Sequence, residues 1–132
     1  MFEEPAEALD ALVRRVIGAA MSVHRALGPG FSESVYEEAL CIELSALRIA
    51  HARQVVIELA YRGQRVGQQR LDVLVEGVLV LELKSVEAIS KLHKAQLNSY
   101  LNATGHKLGL LINFDVPLLR DGVHRVIRKS TS

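Results

Sequence analysis

The amino-acid order points to an α/β protein, a three-layer α/β/α sandwich around a mixed central sheet. Three observations carry this. Helical periodicity marks two segments at the start of the chain and a third after residue 90, with segments rich in Val, Leu and Ile between and after them. The resulting order of elements is ααβββαββ. Finally, Val78–Leu81 and Leu108–Asn113 are apolar on both faces, as strands are when helices cover each side.

The first helix is expected over Glu7–Ala26, with Leu9, Leu12, Val13, Val16, Ile17, Ala20 and Val23 at helical spacing. Pro5 stands just ahead of it, and Gly28-Pro29-Gly30 stops it. A second helix follows from Ser32 to about Leu47, with Ser32 as N-cap and Glu33 favoured in the first turn by the helix dipole. Gln54–Tyr61 reads as a strand and Arg62-Gly63-Gln64 as a turn. A second strand then runs from Val66 into Leu71–Val75, and Gly67 inside it suggests a bulge or break. Ser90 caps a third helix to about Ala103, closed by Gly105. Leu108–Asn113 is a buried strand, Asp121-Gly122 a turn, Val123–Ile127 the last strand, and Arg128–Ser132 a frayed polar tail.

The totals bound the function. The 132 residues form a single domain, residues 1–132, able to bury roughly two-thirds of its unfolded surface. With 49% hydrophobic and 23% charged residues the composition is that of a globular protein. A net charge of +1 gives no overall field, so a nucleic-acid site must be a local patch. The single cysteine, Cys41, excludes an internal disulfide and fits a reducing compartment. The acidic N-terminus, MFEEPAEAL, lacks the pattern of a signal peptide, and no apolar run approaches the ~20 residues of a membrane span. A cytoplasmic protein without a membrane partner is expected.

The chemistry gathers at Leu71–Lys84 (LDVLVEGVLVLELK), two strands folded back about Glu76-Gly77. Asp72, Glu82 and Lys84 lie at one end of this otherwise apolar hairpin, and burying charge there is costly unless it is paired or holds a metal. Glu82 and Lys84, two apart, share a face. A strict two-residue turn would place Asp72 opposite Leu81, on the wrong face. An odd-length turn such as Glu76-Gly77-Val78, or a bulge, is therefore required.

Two carboxylates and a lysine so placed suit phosphodiester hydrolysis. Hard oxygens hold Mg²⁺, which activates water, and an ammonium orients that water or stabilises phosphorane charge. The blander reading is an exposed ion pair on a solvated strand, against which Leu81 and Leu83 flank the charges. On the third helix Gln96 and Tyr100, four apart, share a face, as do Glu33 and Tyr36, three apart, on the second. A polar helix rim is the bland alternative there. Arg62, Arg65 and Arg70 form a basic cluster beside the proposed site, and Lys91 and Lys94 open the third helix. They could track a nucleic-acid backbone, though solvated surface charge is the simpler account of each. The five histidines have no zinc-like spacing, and Cys41 reads as a small core residue.

Gly30-Phe31-Ser32-Glu33-Ser34-Val35-Tyr36 resembles the signature of the bacterial GxxExxY protein family. Arg70-Leu71-Asp72, Glu82-Leu83-Lys84, Gln96 to Tyr100 and Gly109–Phe114 follow that family's order over nearly the whole chain. The family is similar to compact members of the PD-(D/E)XK nuclease superfamily, with a restriction-endonuclease-like fold. Leu71 stands where the superfamily's name would put proline. The resemblance implies that Asp72, Glu82 and the Leu83 backbone carbonyl ligate Mg²⁺, with Mn²⁺ as a substitute. It implies that Glu33 binds through water or a second ion, Lys84 positions the nucleophile and Gln96 orients the site. Tyr36, Arg70 and Tyr100 would contact substrate, DNA in preference to RNA. The competing readings are a catalytically silent module of the same fold that binds nucleic acid or a protein partner, and a subunit dimerising through the apolar first helix.

Overall fold

The computed structural model describes residues 3–129. Its elements are α1 (Glu3–Leu27), α2 (Glu33–Ala46), β1 (His51–Tyr61), β2 (Gln64–Val75), β3 (Leu79–Lys84), α3 (Lys91–Thr104), β4 (Leu108–Asn113), a short 3₁₀ turn (Leu119–Gly122) and β5 (Val123–Ile127). The expected order ααβββαββ is the observed one. The five strands form one sheet in the order β1-β2-β3-β4-β5, antiparallel throughout except where β3 and β4 run parallel. That parallel step needs a crossover, and α3 supplies it.

Each face of the sheet carries its own apolar cluster. On one face α1 and α2 bring Val13, Val16, Leu40 and Leu44 against Val73, Leu81, Leu83 and Leu110. On the other, α3 brings Leu97, Tyr100 and Leu101 against Leu71, Val80 and Leu111. All side chains of β3 but Lys84 are buried, which is why the segment reads as apolar on both faces. The apolar stripe of α1 goes into this packing, with Val13, Val16, Ala19, Ala20 and Val23 all buried.

Local signals set most boundaries. Ser90 Oγ accepts from His93 N at 3.1 Å and His93 Nδ1 accepts from Ser90 N at 3.0 Å, a reciprocal cap for α3. Leu59 faces Gly67 while Ala60 faces Arg65, leaving Val66 as the extra residue of a bulge beside Gly67. Several boundaries differ from expectation, among them that of β2, which opens at Gln64 rather than Val66. Helix α1 takes in Pro5 in its first turn, where a missing N–H costs nothing. Strand β1 opens at His51 because Glu76 N donates to Ala50 O at 2.9 Å and docks the far hairpin there. The tail is tied down through Lys129, since Arg128 N donates to Lys107 O at 2.9 Å and Lys129 N to Asn98 Oδ1 at 2.8 Å. The rest of the expected fray, residues 130–132, and the first two residues of the acidic N-terminus lie outside the described residues. No helix among the described residues is long and apolar enough to cross a membrane.

Candidate active site

The site is built by the β2–β3 hairpin. Glu76 and Gly77 turn with φ of 53° and 69°, a backbone that glycine adopts freely, and Val78 N closes the turn on Val75 O at 3.0 Å. Pairing resumes at Val75↔Leu79 and runs through Leu74↔Val80 to Val73↔Leu81. Three residues therefore separate the strands, the odd number that the sequence requires. Continued one rung, this register sets Asp72 opposite Glu82.

That rung is not an ordinary one. The β2–β3 ladder ends at Val73–Leu81, and side chains take over. Leu83 N donates to Asp72 Oδ2 at 2.8 Å, and Asp72 N donates to Glu82 Oε1 at 3.3 Å. Each carboxylate thus fills the place of a ladder carbonyl at the mouth where the strands part. A strand residue turns its N–H and C=O to the same neighbour, so the Leu83 carbonyl faces this opening too.

Charge is crowded there. Burial first, and then the charge of Asp72, push the Glu82 carboxyl up to about 8, with the Asp72 N–H and Lys84 opposing. Asp72 is raised by burial, against the Leu83 N–H, and further by Glu37 and Glu33. The Tyr100 hydroxyl is raised by burial and by the charges of Glu82 and Asp72. Two hard carboxylates that destabilise one another's charge, beside an inward-facing carbonyl, form a donor set suited to a divalent cation. Among the described residues no three His, Cys, Asp or Glu side chains converge as a ligand cluster, so the carbonyl and water would complete the shell.

The remaining expected residues fall into two groups. Around the opening, Lys84 shares the face of Glu82 and is paired in register with Asn113. Glu33, exposed, reaches the end of β3 and accepts from Ser85 N at 3.4 Å, while Ser85 Oγ donates to Phe31 O at 2.6 Å. Tyr100 donates to Gln69 Oε1 at 3.3 Å, and Gln96 is exposed one helical turn before it. Arg70 is exposed and paired with Val56 on the β1–β2 ribbon.

Tyr36 is the departure. It is fully buried, stacked on Phe114 with ring centroids 4.4 Å apart, and its hydroxyl donates to Gly28 O at 2.5 Å and accepts from Phe31 N at 3.2 Å. Its i, i+3 spacing from Glu33 puts both on one side of α2, but the ring turns inward and leaves no surface for substrate. Among the other groups weighed, Arg65 is paired with Glu58, and His24 Nε2 lies 2.8 Å from Val116 O. His93 caps α3, and burial pushes the Cys41 thiol up to about 11, which removes it as a nucleophile.

The sequence does not single out Glu37, Gln54, Gln69 or Ser85. Glu37 is buried and accepts from Arg53 Nε at 3.1 Å, Arg53 Nη2 at 3.0 Å and Gln54 Nε2 at 2.8 Å. Its spacing of four from Glu33 was the available signal, masked by Glu38 beside it.

A family model described as the PD-(D/E)XK nuclease superfamily matches residues 10–126. Among solved structures, the crystal structure of SSO0001 is similar in fold, with a TM-score of 0.53 and 19% sequence identity over 74% of this chain and 50% of that one. This chain thus spans half the length of that protein. No curated protein matches the sequence.

Proposed function

The chain belongs to the PD-(D/E)XK nuclease superfamily, and on that footing we propose that it hydrolyses phosphodiester bonds of nucleic acid, DNA in preference to RNA. The observation that carries this is the reciprocal bonding of Asp72 and Glu82 at the hairpin mouth, which holds two mutually repelling carboxylates where a cation would relieve them. Asp72, Glu82 and the Leu83 carbonyl would hold Mg²⁺, or Mn²⁺ in its place, with Glu33 engaged through water. When bound, such an ion supplies a nucleophilic water at neutral pH and neutralises phosphate charge.

The chain's own groups do the rest. Lys84 donates to the attacking water or to a phosphate oxygen, where its charge offsets the one that develops at phosphorus. Gln96 and Tyr100 line the α3 side and contact the substrate backbone, the Tyr100 hydroxyl being held by Gln69. Arg70 meets a neighbouring phosphate. Tyr36 serves by pinning the Gly28–Phe31 loop beneath Glu33 rather than by touching substrate. Cys41, free and buried, suits the reducing cytoplasm in which we place the protein.

The test is direct. Purified protein incubated with single- and double-stranded DNA and RNA in Mg²⁺ or Mn²⁺ should cleave DNA, and Asp72→Asn should abolish cleavage. A wild type that binds DNA in a salt-dependent way but cuts nothing would make it a binding module instead.

A further inference from the structure

The β1–β2 ribbon is dislocated at one rung. Pairing includes Arg53↔Val73 and Val55↔Leu71, but the rung between them, Gln54 with Asp72, is missing. Residues two apart on a strand normally share a face. Here they do not. Arg53 reaches Glu37 on α2 and Val73 packs in the α1/α2 cluster, whereas Val55 and Leu71 pack in the α3 cluster. Both strands therefore switch faces at the same rung, and Asp72 sits on the switch.

The residue across from Asp72 is irregular as well. Gln54 has φ of 51°, a conformation that residues with a Cβ adopt rarely. Its side chain is anchored by Glu37 Oε1 at 2.8 Å, and Glu37, 8% exposed, is itself fixed by two bonds from Arg53. A regular strand at Gln54 would carry β1 and β2 on without the switch. It would turn Asp72 away from the place where Oδ2 meets Leu83 N and its own N–H meets Glu82.

We propose that Glu37 and Gln54 are a positioning pair. Anchored on α2, they hold the dislocation that presents the Asp72 carboxylate to the mouth beside Glu82. The pair touches neither substrate nor metal, and its role in catalysis rests on the nuclease reading above.

The test uses Gln54→Val, whose β-branched side chain disfavours positive φ and favours a regular strand, and Gln54→Asn, which tolerates positive φ. Glu37→Ala removes the anchor while keeping a good helix former in α2. Mn²⁺ affinity of the full chain, measured by calorimetry, should weaken about 10- to 100-fold in Gln54→Val and Glu37→Ala and less in Gln54→Asn, which keeps the positive φ but is too short for the Glu37 bond. Exchange of the Leu83 amide, followed by NMR, should accelerate about tenfold in the first two variants, since its acceptor is Asp72. Unchanged Leu83 exchange and Mn²⁺ affinity in either folded variant would overturn the positioning role. These readouts do not depend on cleavage. A wild type that cuts nothing would sink the nuclease reading, whereas the positioning of Asp72 would still stand or fall on Leu83.

Discussion

The carboxylates of Asp72 and Glu82 each accept from the other's strand, Asp72 from Leu83 N at 2.8 Å and Glu82 from Asp72 N at 3.3 Å. The two acids are locked in place by the backbone, yet neither is given a cation by a direct ion pair among the described residues. Their geometry is fixed in advance of any ligand, and their charge is left in excess.

That excess makes stability fall with rising pH. Burial and Asp72 raise the folded Glu82 from 4.5 to about 8, so between those values the folded chain keeps a proton that the unfolded chain has lost. Stability contributed by this proton is present below the unfolded value and is lost as pH climbs toward 8. Asp72, also raised, adds in the same direction. The thermal midpoint of metal-free protein should therefore drop from pH 5 to pH 8. Glu82→Gln should flatten the slope, and Mg²⁺ should restore the midpoint at pH 8. A midpoint that rises over this range would contradict the assignment.

Lys84→Ala should separate cleavage from metal binding. Lys84 is on the face of Glu82 but forms no ion pair among the described residues, so Lys84→Ala should leave Mn²⁺ affinity intact while cleavage falls about 10²–10³-fold. Its charge also favours the ionised forms of Asp72 and Glu82, so the variant should show a steeper loss of stability with pH. Single-turnover cleavage beside calorimetry with Mn²⁺ checks both parts. A parallel loss of metal affinity would make Lys84 part of the ion's surroundings instead.

The two tyrosines should divide in the same way. Tyr36→Phe removes a donor to Gly28 O and an acceptor for Phe31 N inside the core, and should cost about 1–2 kcal/mol in urea unfolding with substrate affinity unchanged. Tyr100→Phe loses only a 3.3 Å bond to Gln69 beside the carboxylates, and should weaken DNA binding with little change in stability. The reverse pattern would return Tyr36 to the substrate surface.

The turn of this site could be read from residue order because it rests on parity, although the switch of faces at Asp72 could not. Counting residues between Asp72 and Glu82 forces an odd turn about Gly77, and the strands obey it. The apolar run of β3 likewise announces its central place. What could not be read depends on partners distant in sequence. Nothing near Tyr36 reveals that Phe114 offers a stacking surface, so its spacing from Glu33 gives a shared side of α2 but not the burial of the ring. Nothing near Gln54 reveals that Glu37 will hold it at positive φ, because alternation assigns every residue of QVVIELAY a regular strand geometry. The carboxylate-bearing ends of the strands were legible; the contacts that aim them were tertiary.

One further contact supports Lys84 from behind. Gly122 lies so close to β4 that a Cβ there would sit 2.1 Å from Asn113 O, a backbone atom. Asn113 is paired in register with Lys84, and its side chain clamps the loop after β3, with Nδ2 donating to Val86 O at 2.9 Å and Oδ1 accepting from Val86 N at 3.0 Å. The strand end cannot retreat without disturbing that clamp. Gly122→Ala should therefore cost about 2–3 kcal/mol or more in urea unfolding, and lower cleavage beyond what the loss of folded protein explains. Gly109 gives the control: the nearest atoms to a Cβ there all belong to the Leu97 side chain, from 3.0 Å, and that side chain can shift. Gly109→Ala should cost less and leave cleavage per folded molecule unchanged. Equal costs at the two positions would mean that the Asn113 carbonyl yields as readily as a leucine, and the support for Lys84 would not be rigid.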